Sequence, residues 1–197
     1  METALGNHDD YFLRILGTDD PDPAMFDFGF AMEASPPYNY DYEADVSMAR
    51  AAIKLDYQHH VSLLEKASLI EIDPFAFVHA GIHPDRSIHE QKPADCLTIR
   101  KPFLEYAAPF SHVVVHGHTI TESRRPFVTR NRIAQDTGAY GTGHLTALVI
   151  DPHARSREFA WTTQTGTTIP HPQLPARTAA RQPQNVQPRN LAIDVAS

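Results

Sequence analysis

The sequence contains little cysteine and no long apolar run. Its single cysteine cannot form an internal disulfide, which excludes a disulfide-stabilised secreted fold and indicates a reducing compartment. No segment approaches the roughly 18 consecutive apolar residues of a membrane span, and the first residues do not resemble a signal peptide. We therefore predict a cytoplasmic protein that has no membrane partner.

Basic residues are also scarce. Seventeen Lys and Arg stand against 24 Asp and Glu, a net charge of −7, whereas nucleic-acid-binding domains usually present a basic surface. The sequence thus argues against a nucleic-acid partner. A hydrophobic fraction of 42% and a length of 197 residues are typical of one globular domain with a buried core. Twelve histidines are many for this length, and they direct attention to metal binding.

The pattern along the chain predicts helices in the first third and a tail at the end. Residues 8–16 have an apolar side and predict a helix, and apolar residues at three- and four-residue steps predict a second helix over about 44–67. The intervening residues 17–45 are rich in Asp, Pro and Tyr and predict a long loop. We predict one domain over residues 1–165 and a disordered tail over 166–197, where Pro, Gln, Thr, Arg and Ala dominate without periodicity.

Two short apolar runs have the same design. Phe75–Val78 and Val113–Val115 are aromatic and β-branched, which predicts buried strands, and each run is followed by histidine and glycine. His79 and His118 therefore lie near the carboxyl ends of predicted strands, where open α/β sheets bind ligands. Small neighbouring residues would let another group approach the backbone closely.

Three further strands are predicted around residues 131–135, 145–150 and 157–162. Turn-forming residues separate them, at Gly138–Gly141 and at Asp151–His153. This order suggests a β-meander. Together with the preceding helices and strands, it predicts an α/β fold.

Four short motifs occur in a particular order. They are Gly6-Asn7-His8-Asp9, His79-Ala80-Gly81, Gly117-His118-Thr119 and Asp136-Thr137-Gly138-Ala139. With a predicted helical turn over Leu97–Phe103, this series resembles the phosphoprotein phosphatases, the serine/threonine branch of the calcineurin-like metallophosphoesterases, and bacterial members in particular. The resemblance covers roughly residues 3–151. It implies the α/β/β/α sandwich of that superfamily.

The resemblance also implies roles for five residues. Asn7, His79 and His118 would bind one metal of a binuclear pair, His8 would be the general acid, and Arg100 would contact the substrate phosphate. The resemblance implies Mn²⁺ first, with Fe²⁺ or Zn²⁺ as alternatives, and imidazole and amide oxygen suit a divalent cation of this kind. Two cations about 4 Å apart can activate a hydroxide and hold the phosphoryl oxygens during in-line attack. The implied substrate is a phosphorylated protein or a small phosphoester.

Two further motifs of the family, GDxHG and GDxxDRG, are absent from this sequence. They carry the remaining ligands of the first metal, the aspartate that bridges both metals and the carboxylate that orients the general acid. We therefore expect a sandwich that lacks its first strand–helix units and has an incomplete second metal site. The chain alone would be weakly active or inactive, and the sheet edge left unpaired would favour self-association.

Alternative interpretations remain for the function and for single residues. The chain would be a metal-dependent phosphoesterase, a non-catalytic remnant that binds a partner or phosphorylated ligand, or an enzyme resembling diadenosine tetraphosphate hydrolases. Cys96 is interpreted as a small buried residue and His116 as a packing or hydrogen-bonding neighbour of the site. His60 is interpreted as structural. The remaining histidines are interpreted as surface or loop residues: His59, His83, His89, His112, His144, His153 and His171.

Overall fold

The computed structural model describes residues 2–17, 46–64, 67–151, 153, 156–162 and 168–170. Most of the predicted loop over 17–45 lies outside these residues, as does the tail beyond residue 170. The described chain contains helices and two β-sheets, and the predicted α/β class is confirmed. Within the described ranges, no helix is long and apolar enough to cross a membrane.

The first helix, α1, spans Asn7–Gly17 and agrees with the predicted helix. Phe12, Ile15 and Leu16 recur at helical spacing and are buried on one side of it. Acidic residues in its first turn face the positive end of the helix dipole, and Asp10 forms an ion pair with Arg14 one turn later. The helix is therefore anchored by its apolar side, with its first turn free to carry polar residues.

The predicted helix over 44–67 is two helices in the structure. α2 spans Val46–Asp56, α3 spans Gln58–Leu64, and Tyr57 forms a turn between them. Backbone hydrogen bonds still cross this turn, from Tyr57 N to Ile53 O at 2.9 Å and from Val61 N to Tyr57 O at 3.0 Å. The predicted helical spacing of apolar residues therefore continues across the turn at Tyr57. The described members of this pattern pack on α1, with Ile53 fully buried against Phe12 and Leu16, and Tyr57, Val61 and Leu64 half-buried beside them.

The main sheet has five strands in the order β1-β2-β3-β5-β4. Its members are β1 (Leu69–Ile72), β2 (Phe75–Val78), β3 (Val113–His116), β4 (Phe127–Val128) and β5 (Arg132–Ala134). β2, β3 and β5 are parallel neighbours, and β1 and β4 are antiparallel at the two sides. The predicted strands at 75–78 and 113–115 are confirmed, and they are adjacent and parallel. Their carboxyl ends consequently share one edge.

Alternating side chains of the main sheet fill two different cores. Ala76, Val78 and Val114 face a cluster that includes Ile99 and Phe103. The opposite face meets the second sheet in a cluster formed by Ile70, Phe77, Val115, Ile133 and Phe159, with Leu148 and Ile150 at its side. This period-two alternation is what a strand buried on both faces requires. The main sheet is thus a middle layer.

The second sheet contains β6 (Thr146–Asp151), β7 (Ser156–Thr162) and β8 (Thr168–Pro170), all antiparallel. The predicted meander of residues 131–162 is therefore wrong in its first member, because β5 joins the main sheet beside β3. Three residues assigned to the tail form β8. Periodicity identifies a strand but does not reveal its partner, which long-range pairing decides.

The segment between β2 and β3 holds a 3-10 helix at Ile88–Glu90 and the helix α4 at Pro93–Thr98. The predicted helical turn over 97–103 is confirmed only in part: Leu97 and Thr98 end α4, Ile99 is extended, and a separate turn follows in which Leu104 N donates to Arg100 O at 2.9 Å. Pro93 suits the first turn of a helix, whereas an α-helix is disfavoured across Pro102, which has no N–H to donate. Arg100 consequently lies just after the helix. A last short helix, α5, spans Ala139–Thr142.

Candidate metal centre

Asn7 is placed by the first turn of α1. Gly6 precedes the helix, and its N–H donates to Asp9 Oδ2 at 3.0 Å, as the N3 residue of a capping box does. Gly6 is buried, and a Cβ added to it would lie 2.9 Å from Asp9 Oδ2 and 3.2 Å from His79 Nδ1. Glycine is therefore required where the helix begins against the histidine.

His79 follows β2 directly and is 6% exposed. Its carbonyl accepts the N–H of Gly117 at 2.8 Å, so the main chains after β2 and β3 are joined beside the two histidines. Burial, followed by the charges of His118, His8 and Arg100, lowers the pKa of His79 to about 4. His79 is therefore neutral at physiological pH, as a metal-ligating imidazole must be.

His118 follows β3 after Gly117 and has a φ of 62°. This left-handed conformation costs a residue with a side chain about 1–2 kcal/mol, and such backbone strain concentrates at functional sites. Burial lowers the pKa of His118, the charge of Arg100 lowers it too, and the carboxylate of Asp136 opposes both. The strained backbone directs the imidazole towards His79, with the two ring centroids 5.0 Å apart.

Three potential ligand atoms meet at this place. His79 Nε2 lies 2.7 Å from Asn7 Oδ1 and 3.1 Å from His118 Nδ1. The amide oxygen can only accept a hydrogen bond, so His79 Nε2 carries a proton that points at the lone pairs of its two neighbours. A cation with ligand bonds of about 2.1 Å at right angles holds its ligand atoms about 3.0 Å apart. A cation that replaced this proton would face lone pairs of all three residues.

The described residues contain no group of three or more His, Cys, Asp or Glu side chains arranged to hold a metal. Asn7, His79 and His118 combine two imidazoles with an amide, so they fall outside those four residue types. The donor set nevertheless fits a divalent cation such as Mn²⁺, Fe²⁺ or Zn²⁺. It contains no carboxylate to offset the charge of the cation.

Arg100 and His8 border the three residues. The exposed Arg100 donates from NH1 to Thr119 Oγ1 at 2.8 Å, and its charge acts on both His79 and His118. His8 is exposed on the first turn of α1, and its charge also acts on both histidines. The predicted site residues are therefore brought together from four distant segments. The positive charge of Arg100 beside the three ligand atoms suits an anionic ligand.

Two further residues support the site. Phe103 is fully buried, lies in edge contact with the His116 ring at 4.9 Å between centroids, and occupies the space where Gly81 would carry a Cβ. It contacts the end of β3 and the segment after β2 at once, and local patterns do not reveal such contacts between distant parts of the chain. Asp9, the last residue of the first motif, caps α1 through a bond to Gly6 within its own turn.

The other histidines and the cysteine lie elsewhere or play packing roles. His116 is 1% exposed, donates from Nδ1 to Gly117 O at 3.1 Å and packs on Phe103. Cys96 is fully buried, and burial raises the pKa of its thiol to about 11, so it is no reactive thiolate. The exposed histidines are His59, His60, His89, His144 and His153, whereas His83 and His112 are half-buried and His171 lies outside the described residues.

Comparison of the chain with protein-family models, with curated proteins and with solved structures finds no match.

Proposed function

We propose that the chain is a divalent-cation-dependent phosphoesterase of the serine/threonine protein phosphatase type. The observation that carries the proposal is that His79 Nε2 lies 2.7 Å from Asn7 Oδ1 and 3.1 Å from His118 Nδ1. These two distances, between residues 72 and 39 positions apart in the chain, are typical of ligand atoms of one cation. The order of the three residues along the sequence matches that of the phosphatase motifs.

The layers of the fold support the same proposal. One face of the main sheet packs against the second sheet, and the other packs against a cluster that includes residues of α4 and the turn after it. We infer that this arrangement is part of a calcineurin-like α/β/β/α sandwich. The candidate site lies at the carboxyl ends of β2 and β3, the usual ligand-binding edge of such sheets.

The chain supplies groups for a phosphoryl ligand beside the proposed cation. Arg100 is exposed and donates from one guanidinium nitrogen to Thr119 Oγ1, and planar guanidinium geometry matches two phosphate oxygens. His8 is exposed beside Asn7, and an imidazole at this place is the type of group that protonates a leaving oxygen. A bound cation would supply Lewis-acid polarisation and acidification of a coordinated water.

The residues of this chain provide ligands for one cation but not for the second cation of the binuclear pair. GDxHG and GDxxDRG do not occur in the sequence, so their carboxylates are not contributed by this chain. Removal of one electrostatic stabiliser typically lowers a rate by ~10²–10³. We therefore expect slow turnover by the chain alone. The same observation favours a second function, the binding of a phosphorylated ligand without hydrolysis.

The test is hydrolysis of p-nitrophenyl phosphate by the purified chain, with Mn²⁺ and with a chelator, alongside His79→Ala and His118→Ala. Slow hydrolysis that is lost with the chelator and in both variants supports the phosphoesterase. Hydrolysis that survives the chelator and both substitutions would disprove it. Cation-dependent binding of a phosphopeptide without turnover would instead support the binding function. Exclusive cleavage of dinucleoside polyphosphates would identify the diadenosine tetraphosphate hydrolase-like alternative.

A further inference from the structure

Asp136 lies at the end of β5, the strand that pairs with β3. The parallel register pairs Val114 with Arg132, Val115 with Ile133 and His116 with Ala134. The hydrogen bond from Gln135 N to His116 O, at 3.0 Å, continues this ladder. Asp136 follows two residues after the end of β5, as His118 follows two residues after the end of β3. The pairing of the two strands thus brings a carboxylate to the segment that carries His118.

The backbone around Asp136 fixes the position of its side chain. Asp136 Oδ1 accepts the N–H of Gly138 at 2.9 Å, and its carbonyl accepts the N–H of Thr121 at 3.0 Å. A Cβ added to Gly117 would lie 3.8 Å from Asp136 Cβ, so the aspartate side chain runs alongside the residue that precedes His118. The turn therefore holds the carboxylate next to the His118 segment without a hydrogen bond to the imidazole in the described residues.

The candidate cation site needs a negative charge. Asn7, His79 and His118 are neutral ligands, and the nearby Arg100 is a cation that opposes cation binding. The charges that act most strongly on His118 are those of Arg100, Asp136 and His8, and among these three Asp136 alone is negative. A carboxylate beside a histidine ligand raises the basicity of the imidazole and offsets part of the charge of the cation.

We propose that Asp136 is the charge-balancing carboxylate of the candidate cation site, held beside the His118 segment by the turn that follows β5. The inference rests on the proposed function only in requiring that a cation bind at Asn7, His79 and His118. Carboxylates that hydrogen-bond a histidine ligand typically contribute 10–100-fold to metal affinity. Asp136 acts through its charge without that bond, and we expect a contribution in the same range.

The experiment compares the affinity of the whole chain for Mn²⁺ and Zn²⁺ by titration calorimetry. Asp136→Asn removes the charge but keeps an Oδ1 that can accept the N–H of Gly138. Asp151→Asn is the matched control, because Asp151 Oδ1 accepts the N–H of His153 two residues later, at 2.8 Å, in the same kind of turn. His79→Ala removes a ligand. Unfolding with a chelator present measures the effect of each substitution on the metal-free fold.

We expect Asp136→Asn to weaken cation binding about 10–100-fold while Asp151→Asn changes it by less than about twofold. Asp136→Ser is a second neutral turn former and should reproduce the loss if Asp136→Asn does not fold. Wild-type affinity in either folded Asp136 variant, or equal weakening in Asp151→Asn, would overturn the role of Asp136 and leave the proposed function standing. If the wild-type chain, like His79→Ala, bound no cation, both the role of Asp136 and the proposed function would be overturned.

Discussion

The ends of β2 and β3 are built from similar sequence but differ in conformation. Each strand is a short apolar run followed by a histidine of the candidate site. His79 follows its strand directly, is almost fully buried and has its carbonyl bonded to Gly117 N. His118 comes two residues after the buried His116, is half-buried and has a left-handed backbone.

The two strand ends therefore contribute differently to the candidate site. The β2 end is relaxed and enclosed, so it provides a fixed imidazole. The β3 end places His116 in the core and bends the chain at His118, so that a second imidazole meets the first. Backbone strain persists only where the surrounding structure holds it in place. Here the hydrogen bonds and packing between the two strand ends provide that restraint.

The largest effect should come from removing the aromatic ring that both strand ends share. Phe103→Ala should lower the free energy of unfolding by about 3–5 kcal/mol, because a fully buried ring is lost from contact with Gly81 and His116. Urea denaturation measures the loss. Phe127→Ala is the control, since that ring is 48% exposed, and it should have a much smaller effect. Equal effects of the two substitutions would show that Phe103 does not support the two ends.

Acid should destabilise both strand ends when metal is removed. Burial lowers the pKa of His116 to about 4, and its Nε2 faces the Arg132 guanidinium at 3.4 Å; burial also lowers the pKa of His79 to about 4. Between pH 4 and 6.5 the unfolded chain binds protons that the folded chain does not, so stability falls as pH falls through this range. Each histidine should account for a loss of roughly 3 kcal/mol.

Urea unfolding in chelator at pH 7, 6, 5 and 4.5 tests this expectation. His116→Gln should flatten the dependence by about half, since His79 still contributes. The exposed His153→Gln should leave the slope unchanged. A slope that is identical in all three proteins would contradict the assignment to His116.

The two glycines beside the site should differ in their tolerance of a methyl group. Gly6→Ala places a Cβ 2.9 Å from Asp9 Oδ2 and 3.2 Å from His79 Nδ1, and we expect it to weaken Mn²⁺ binding about tenfold. At Gly117 the nearest atoms would be 3.8 Å away, so Gly117→Ala should change affinity by no more than about twofold. Calorimetric titration compares the two variants. A greater loss of Mn²⁺ affinity in Gly117→Ala than in Gly6→Ala would contradict this expectation.

The smallest effect should come from releasing the strain at His118. His118→Gly should leave metal-free stability unchanged or raise it by up to about 1 kcal/mol, because glycine adopts a φ of 62° without penalty. His79→Gly should instead be destabilising, since it removes a buried ring from a relaxed backbone. Thermal unfolding in chelator measures both. A large destabilisation by His118→Gly would show that its φ is not strained in this fold.

Some parts of the fold could be predicted because they depend on neighbours in the sequence. The apolar side of α1 and the two buried strands before His79 and His118 follow from local period and composition. The break at Tyr57, the end of α4 before Arg100 and the strand β1 were not predicted. Each depends on a turn or on pairing with another element, and local apolar periodicity carries little information about either.

The sequence by itself determined which chemical groups the protein can offer at its strand ends: two imidazoles after buried apolar runs, an amide at the start of a helix, and no GDxHG or GDxxDRG carboxylates. The tertiary structure alone decided that Asn7 Oδ1 and His118 Nδ1 meet at His79 Nε2, that His118 bends to a φ of 62°, and that Asp136 lies beside the preceding Gly117. These facts depend on strand order and register. Both are set by burying the two faces of one sheet across long stretches of chain, a condition that no local segment contains.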